Sequence, residues 1–116
     1  MSPRTLEFNA HSPYRQLVGV GGIGTGLFFE LENNHTLGRN ESRAARLLNI
    51  RDYCKLHIIS HYVAVLLGAN PRGSPFRVLP IGKVGADDAG RRMIGEMSAV
   101  GIDTRYVEVP PISQPL

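Results

Sequence analysis

The chain has 116 residues, of which 13 are Lys or Arg and 10 are Asp or Glu, giving a net charge of +3. This length fits one domain that buries roughly two-thirds of its unfolded surface, and so small and dispersed a charge does not indicate a surface for nucleic acid or membranes. A single cysteine excludes an internal disulfide. The sequence shows no signal peptide and no apolar run near the ~20 residues of a membrane span, so we expect a cytoplasmic protein.

The first third of the chain predicts a leader, a strand and a hairpin. Residues 1–16 mix prolines and charges without periodicity and predict a loose leader. A strand follows from residue 17, and residues 19–24 formally match the G-x-G-x-x-G turn of dinucleotide-binding folds. That turn needs a helix directly behind it to meet a pyrophosphate, whereas here apolar and polar residues alternate up to an Asn-Asn pair. Apolar and polar residues that alternate with a period of two, followed by a turn pair, predict a hairpin over about residues 26–39.

Two helices are predicted after the hairpin. Residues 40–49 predict a short helix capped by Asn40. Residues 52–67 predict a second helix that Asp52 caps and Gly68 ends. This second helix is apolar nearly all round, which indicates that it is buried.

The second predicted helix carries three residues with metal-binding side chains. Cys54, His57 and His61 lie at i, i+3 and i+7, hence roughly on one face, and thiol and imidazole groups are ligands of transition metals. A zinc site usually takes further ligands from a second element, and no spacing in the sequence supplies them. We therefore expect a packed histidine pair without a metal, with a metal-binding face as the alternative.

The clearest pattern lies in the last third of the chain. Residues 77–84 predict a largely buried strand, in which Pro80 argues for an edge position or a bulge because it cannot donate to a ladder. Asp87 is placed to cap a helix over residues 89–100, whose apolar residues form one stripe. Gly101 is placed to end that helix in the left-handed conformation.

This pattern resembles a known family. Residues 82–90 (GKVGADDAG), followed after one helix by residues 101–104 (GIDT), resemble the N-terminal half of the ribokinase-like, or phosphofructokinase B type, carbohydrate kinases. Six residues match the family's motif position by position: Gly85, Asp87, Gly90, Gly101, Asp103 and Thr104. The resemblance implies an α/β fold, the N-terminal part of a ribokinase-like three-layer sandwich over residues 17–109. It also implies a small β lid, with strands near 26–39 and 102–109.

The resemblance suggests where a substrate would bind. In the family the first strand ends in an Asn and an Asp that face the sugar, and the aligned positions here are Gly24 and Gly26. The next helix begins in the family with a Gly-Gly-Asn motif that contacts the sugar. That motif is missing here, and His57, Ser60 and His61 are the polar residues left in its place. We expect substrate contacts at these five positions. Either the substrate is held differently or it is not an ordinary sugar.

The resemblance also implies a function. The family's D-T-x-G-A-G-D string, which supplies a general base and an anion hole, does not occur in this sequence. We therefore expect the substrate-binding N-terminal segment of a carbohydrate or nucleoside kinase that uses ATP and magnesium to phosphorylate a hydroxymethyl group. No catalytic residue is expected in this chain, and neither ATP nor a metal is expected to bind it alone. Residues 110–116 are interpreted as a proline-rich tail at a truncation point.

The expected partner is a small sugar or nucleoside, and the lid strands could pair two copies of the chain. The alternative is a self-contained interaction module without catalysis. It would bind a nucleotide at residues 19–24 or a metal at the face of Cys54, His57 and His61.

Overall fold

A computed structural model describes residues 13–33 and 36–111 of the chain. In chain order the elements are the strands β1 (Gln16–Val20), β2 (Phe29–Leu31) and β3 (Ala45–Leu47), the helix α1 (Lys55–Leu67), the strand β4 (Arg77–Lys83), the helix α2 (Asp88–Ala99) and the strand β5 (Val107–Glu108). Most of the predicted leader and of the predicted tail lies outside the described residues. Neither described helix is long and apolar enough to cross a membrane.

Three strands form a parallel sheet in the order β1-β4-β5. β1 runs beside β4 from Gln16 opposite Arg77 to Val20 opposite Ile81, and β5 pairs in parallel with the last two residues of β4. Parallel neighbours require crossover connections, and α1 and α2 provide them. The predicted α/β fold is confirmed, and the sheet with its helices supplies two layers of the expected sandwich.

Both helices pack on one face of the sheet. The core joins them to β4 and β5 through nine buried apolar residues: Ile23, Ala64, Phe76, Val78, Val84, Met93, Met97, Ile102 and Val107. On the opposite face Val18, Val20 and Ile81 are 51%, 79% and 39% exposed. Leu79 lies on the same face and is only 5% exposed, so the exposed part of this face lies along β1 and at the end of β4, although parallel sheets are normally covered on both faces.

The boundaries of α1 differ in part from the prediction. Gly68 ends the helix in the left-handed conformation (φ 64°), as expected. The helix begins at Lys55 after Cys54, which makes no side-chain cap, so the expectation that Asp52 caps it is wrong. Only the stripe of His57, Ser60 and Ala64 is fully buried. The inference that the helix is buried nearly all round was therefore wrong for the described structure, because only its sheet-facing side is covered.

The helix α2 follows the prediction closely. Asp87 Oδ1 accepts a hydrogen bond of 2.8 Å from Gly90 N and thereby caps the first turn. At the other end Gly101 adopts φ 85°, and Ile102 N donates to Met97 O at 3.1 Å, which satisfies a carbonyl of the last turn.

Pro80 lies within the central strand β4, so the expected edge position or bulge is wrong. Arg77 N donates to Arg15 O on the β1 side at 3.0 Å, whereas Gly82 N donates to Tyr106 O on the β5 side at 3.4 Å. Because backbone groups alternate along a strand, the nitrogen of Pro80 faces the β5 side. β5 begins only opposite Gly82, so the missing N–H interrupts no ladder.

The helix predicted over residues 40–49 is wrong, because this segment contains β3. Strand β3 pairs antiparallel with β2, with Glu30 opposite Arg46, and these two side chains form an ion pair. All three residues of β3 are exposed, so an amphipathic helix here would find no core to cover. The hairpin therefore returns at residues 45–47 rather than before residue 40. β5, expected as a lid strand, belongs to the main sheet.

Candidate functional site

A cleft of about 470 Å³ lies at the carboxyl ends of the three parallel strands. Its lining residues are Val20, Gly21, Gly22, Ile23, Ile81, Gly82, Lys83, Tyr106 and Glu108. Ligands of open α/β sheets bind outside the carboxyl ends of the strands. The position of this cleft therefore makes it the candidate functional site.

Backbone atoms form the floor of the cleft. Gly21 N donates to Ile81 O at 3.2 Å, so the chain leaving β1 stays attached to β4. A Cβ atom at Gly82 would lie 2.7 Å from Gly21 O and 3.1 Å from Ile23 Cδ1. Only glycine at position 82 allows the two strand ends to approach this closely, and the result is a floor of backbone groups rather than side chains.

Three polar side chains line the cleft. Lys83 and Glu108 are opposite each other in the β4–β5 register, and Lys83 Nζ lies 3.6 Å from Glu108 Oε2. The two side chains are 69% and 61% exposed, and an exposed pair of this kind contributes little to stability. The third is Tyr106, whose side chain is also exposed. An ammonium group, a carboxylate and a phenol hydroxyl can together donate to and accept from a polar ligand.

The turn before β5 is fixed by Asp103. Its Oδ1 accepts from Arg105 N at 3.2 Å and from Arg105 Nε at 3.0 Å, and Asp103 N donates to Val78 O at 2.9 Å. Burial by itself would raise the pKa of Asp103, but the hydrogen bonds and positive charge of Arg105 outweigh it and hold that pKa below its ordinary value. This turn sets the position at which Tyr106 meets the cleft.

The predicted substrate residues Gly24 and Gly26 contact the start of α1 rather than the cleft. Gly24 O accepts from Cys54 N at 3.1 Å, and a Cβ atom at Gly24 would lie 3.3 Å from Cys54 Sγ. A Cβ atom at Gly26 would collide with the carboxylate of Asp52. Glycine at both positions lets the segment after β1 lie close against the start of α1.

The predicted residues of α1 lie in two further places. His57 and His61 line a groove of about 480 Å³ between α1 and α2, together with Tyr53 and Glu96. Ser60 lines a separate pocket between β1 and α1. The structure thus does not bring the five predicted residues together, and none of them lines the carboxyl-end cleft. Their role as substrate contacts stays a prediction.

His57 is a packed core histidine in this structure. Its side chain is 2% exposed, its ring centroid lies 4.6 Å from that of Tyr53, and its Nδ1 has no hydrogen-bond partner among the described residues. Burial lowers the pKa of His57, Glu96 opposes this shift, and His61 and Arg92 add to it. The lowered pKa favours the neutral form of the ring.

Two observations on the described residues concern the alternative of a metal- or nucleotide-binding module. Within residues 13–33 and 36–111 no group of three or more His, Cys, Asp or Glu side chains is placed to hold a metal ion. Residues 22–28 are irregular and lead into β2, so no helix directly follows the glycine-rich turn. Whether ATP or magnesium binds this chain stays a prediction.

Sequence reasoning missed the three polar residues of the cleft. Lys83 is predicted only as part of the strand over residues 77–84, and Tyr106 and Glu108 only as part of a lid strand. The available signal was the position of these residues at the ends of two strands that a single helix connects. Parallel strands joined in this way usually lie side by side, which would have placed Lys83 beside the end of the next strand.

The chain was compared with protein-family models, with curated proteins and with solved structures. No protein-family model matches the chain, and no curated protein matches it. One similar solved structure is a "putative ribokinase" from Agrobacterium tumefaciens, with 21% identity and a TM-score of 0.46 over 83% of this chain and 28% of that chain. Another is a PfkB protein from Polaromonas sp. JS666, with 15% identity and a TM-score of 0.41 over 80% of this chain and 26% of that chain.

The chain spans about a quarter of the length of these two solved structures. Both carry names from the family that residues 82–90 and 101–104 resemble. At these identities and TM-scores the likeness carries no conclusion about this chain.

Proposed function

We propose that the chain binds a small hydroxylated substrate, a sugar or a nucleoside, in the carboxyl-end cleft. In this proposal it is the substrate-binding segment of an ATP-dependent kinase that phosphorylates a hydroxymethyl group. The observation that carries the proposal is the cleft itself, which combines the ligand-binding edge of a parallel sheet with the polar groups of Lys83, Tyr106 and Glu108. Hydroxyl groups donate and accept, so they suit a site that offers both functions.

The two-stranded sheet of β2 and β3 is proposed as the cover of this site. It is inserted between β1 and α1, so it begins where the cleft begins. The connecting segment is held near the start of α1 because Thr25 Oγ1 donates to Asp52 O at 2.8 Å. Leu27, Phe28 and Phe29 leave large apolar side chains exposed on this segment, and a cover that closes over a ligand would bury part of them.

The chain alone is proposed to bind without catalysing. Phosphoryl transfer needs a cradle for the nucleotide phosphates and a group that accepts the hydroxyl proton. The proposal is supported by the sequence, which contains no D-T-x-G-A-G-D string. ATP, magnesium and the general base would come from a complementary catalytic segment.

Tyr106→Phe tests the site by isothermal titration calorimetry with ribose and adenosine. Loss of one hydroxyl contact costs about 0.5–1.5 kcal/mol, which corresponds to a roughly two- to twelvefold weaker affinity. Tyr62→Phe is the matched control, since Tyr62 is similarly exposed but lines the groove between the helices. Equal affinities of the two variants, or no binding of either probe to the unsubstituted chain, would contradict the proposal.

A further inference from the structure

The groove between α1 and α2 is a second cavity, and the function proposed above does not use it. Its volume of about 480 Å³ suits a small molecule, and none of its lining residues lines the carboxyl-end cleft. We propose that this groove binds a small planar aromatic carboxylate, independently of the substrate in the cleft. An aromatic wall, two unpartnered nitrogen atoms and an excess of positive charge support this assignment.

One wall of the groove is a row of three rings. The ring centroid of Tyr53 lies 4.6 Å from that of His57, and the ring centroid of His57 lies 6.1 Å from that of His61. Tyr62 and Ile58 also line the groove and are 65% and 37% exposed. Aromatic rings pair at centroid distances of about 4.5–7 Å, so a flat ring can extend this row and shield Tyr62 and Ile58 from water. The groove therefore favours a planar aromatic ligand over a polyol.

Two buried nitrogen atoms beside this wall lack a hydrogen-bond partner among the described residues. They are His57 Nδ1 and Arg92 Nε, and Arg92 Cζ lies 6.0 Å from the centre of the Tyr53 ring that also contacts His57. Buried polar groups are normally paired, so an exception calls for an explanation. The guanidinium Nε only donates, and a neutral imidazole donates from Nδ1 in one of its two tautomers. A ligand carboxylate can accept from both nitrogen atoms.

The charges at the groove favour an anion. Glu96 Oε1 lies 2.7 Å from Arg51 Nη1 and 3.7 Å from Arg92 Nε, so one carboxylate faces two guanidinium groups and one positive charge is left over. Arg92 Nη2 donates to Thr25 Oγ1 at 3.4 Å, a long hydrogen bond that a carboxylate can replace. A guanidinium group matches a carboxylate with two parallel N–H groups. The ligand group that fits this end of the groove is therefore a carboxylate rather than an ammonium group.

Three probes separate the aromatic ring from the charge: 2-naphthoate, 2-naphthamide, which has the same ring system without the charge, and cyclohexanecarboxylate, which has the charge without an aromatic ring. Isothermal titration calorimetry of the 116-residue chain near neutral pH and at low salt gives their affinities. We expect 2-naphthoate to bind about tenfold or more tightly than either of the other two, the scale of one charge-assisted hydrogen bond. Saturating ribose should leave the affinity for 2-naphthoate within about twofold.

Three variants test the residues assigned to the site. Arg92→Gln should bring the affinity for 2-naphthoate to within about twofold of that for 2-naphthamide. Tyr62→Leu should weaken both naphthyl probes about threefold or more, because it removes an aromatic contact. Arg91→Gln is the matched control on the same helix, since Arg91 pairs with Asp88 and does not line the groove, and it should change neither affinity. Circular dichroism melting curves check that each variant is folded.

Several results would overturn the inference. One is 2-naphthamide or cyclohexanecarboxylate binding as tightly as 2-naphthoate, and another is no binding of 2-naphthoate in the millimolar range. A preference for 2-naphthoate that survives Arg92→Gln, or that Arg91→Gln removes equally, would mean that Arg92 does not bind the carboxylate. Competition between ribose and 2-naphthoate would mean that the two ligands share the cleft. None of these results other than competition bears on the function proposed for the cleft.

Discussion

For the replacement of Gly90 by alanine, packing and helix propensity predict opposite changes in the free energy of unfolding. Gly90 occupies the first turn of α2, and alanine in a helix interior is favoured over glycine by about 1 kcal/mol. A Cβ atom at Gly90, however, would overlap the carbonyl oxygen of Gly85 and lie 3.0 Å from the carbonyl carbon, where ordinary contacts begin at 3.4 Å. Both are backbone atoms, so no side-chain rotation relieves the overlap.

We expect Gly90→Ala to lower the free energy of unfolding by about 2 kcal/mol or more, since overpacking costs ~1–3 kcal/mol and the collision here is with backbone. Urea unfolding followed by circular dichroism at about 222 nm measures this, and with an m-value near 1–1.5 kcal/mol/M the midpoint should fall by roughly 1.5 M. Gly95→Ala is the matched control on the same helix, because a Cβ atom there meets nothing within 4 Å. It should raise stability by about 0.5–1 kcal/mol. Equal shifts in the two variants would refute the role assigned to the Gly85–Gly90 contact.

Three further predictions concern the cap, the buried histidine and the open sheet face. Asp87→Ala should cost about 1 kcal/mol of stability by removing the cap of α2, whereas Asp87→Asn should cost clearly less; urea midpoints of the two variants decide this. Because burial lowers the pKa of His57 from 6.5, the unfolded chain takes up a proton before the folded chain does, so stability should be highest above pH 6.5 and fall as the pH drops below it. His57→Phe should flatten that pH dependence between about pH 7.5 and 5.5, and an unchanged slope would contradict the assignment. The exposed edge of β1 and the uncovered face at Val20 and Ile81 predict self-association. Val20→Lys should reduce this association in sedimentation velocity, and a monodisperse unsubstituted chain would count against it.

The elements that the sequence predicted correctly are those whose signals are local. Asp87 and Gly101 mark the ends of α2 through hydrogen bonds and backbone angles that involve only nearby residues, and Gly68 ends α1 in the same way. Glycine in the left-handed conformation and a capping aspartate act within one turn of a helix. Such features can be inferred from a single sequence.

The wrong predictions concern segments whose structure depends on a neighbouring strand. Residues 40–49 have a helical pattern of apolar residues, but β2 offers backbone partners to β3 and no core is within reach of that pattern. Pro80 predicts an edge position or a bulge because proline cannot donate to a ladder, and the sequence does not show that β5 begins only opposite Gly82. In both cases a neighbouring strand decided the outcome, and tertiary pairing overrode local preference.

Only part of the candidate site could be predicted from the sequence, for the same reason. Gly24 and Gly26 were identified by aligning them with a family motif, but their backbone contacts with Asp52 and Cys54 depend on the path of the chain. Lys83 and Glu108 are 25 residues apart in the sequence and meet only through the β4–β5 register. Parallel strands are joined by a crossover connection, and the residue pattern of the two strands does not show which of their residues will lie opposite each other.

The most direct test of the central claim is a map of ligand-induced amide shifts in the nitrogen-15 labelled chain. Titration with ribose should produce saturable shifts at Gly21, Gly22, Gly82 and Lys83, and ATP alone should leave these signals in place. Shifts confined to the groove at His57 and His61, or no shifts at any concentration, would contradict the claim that the carboxyl ends of the parallel strands form the binding site.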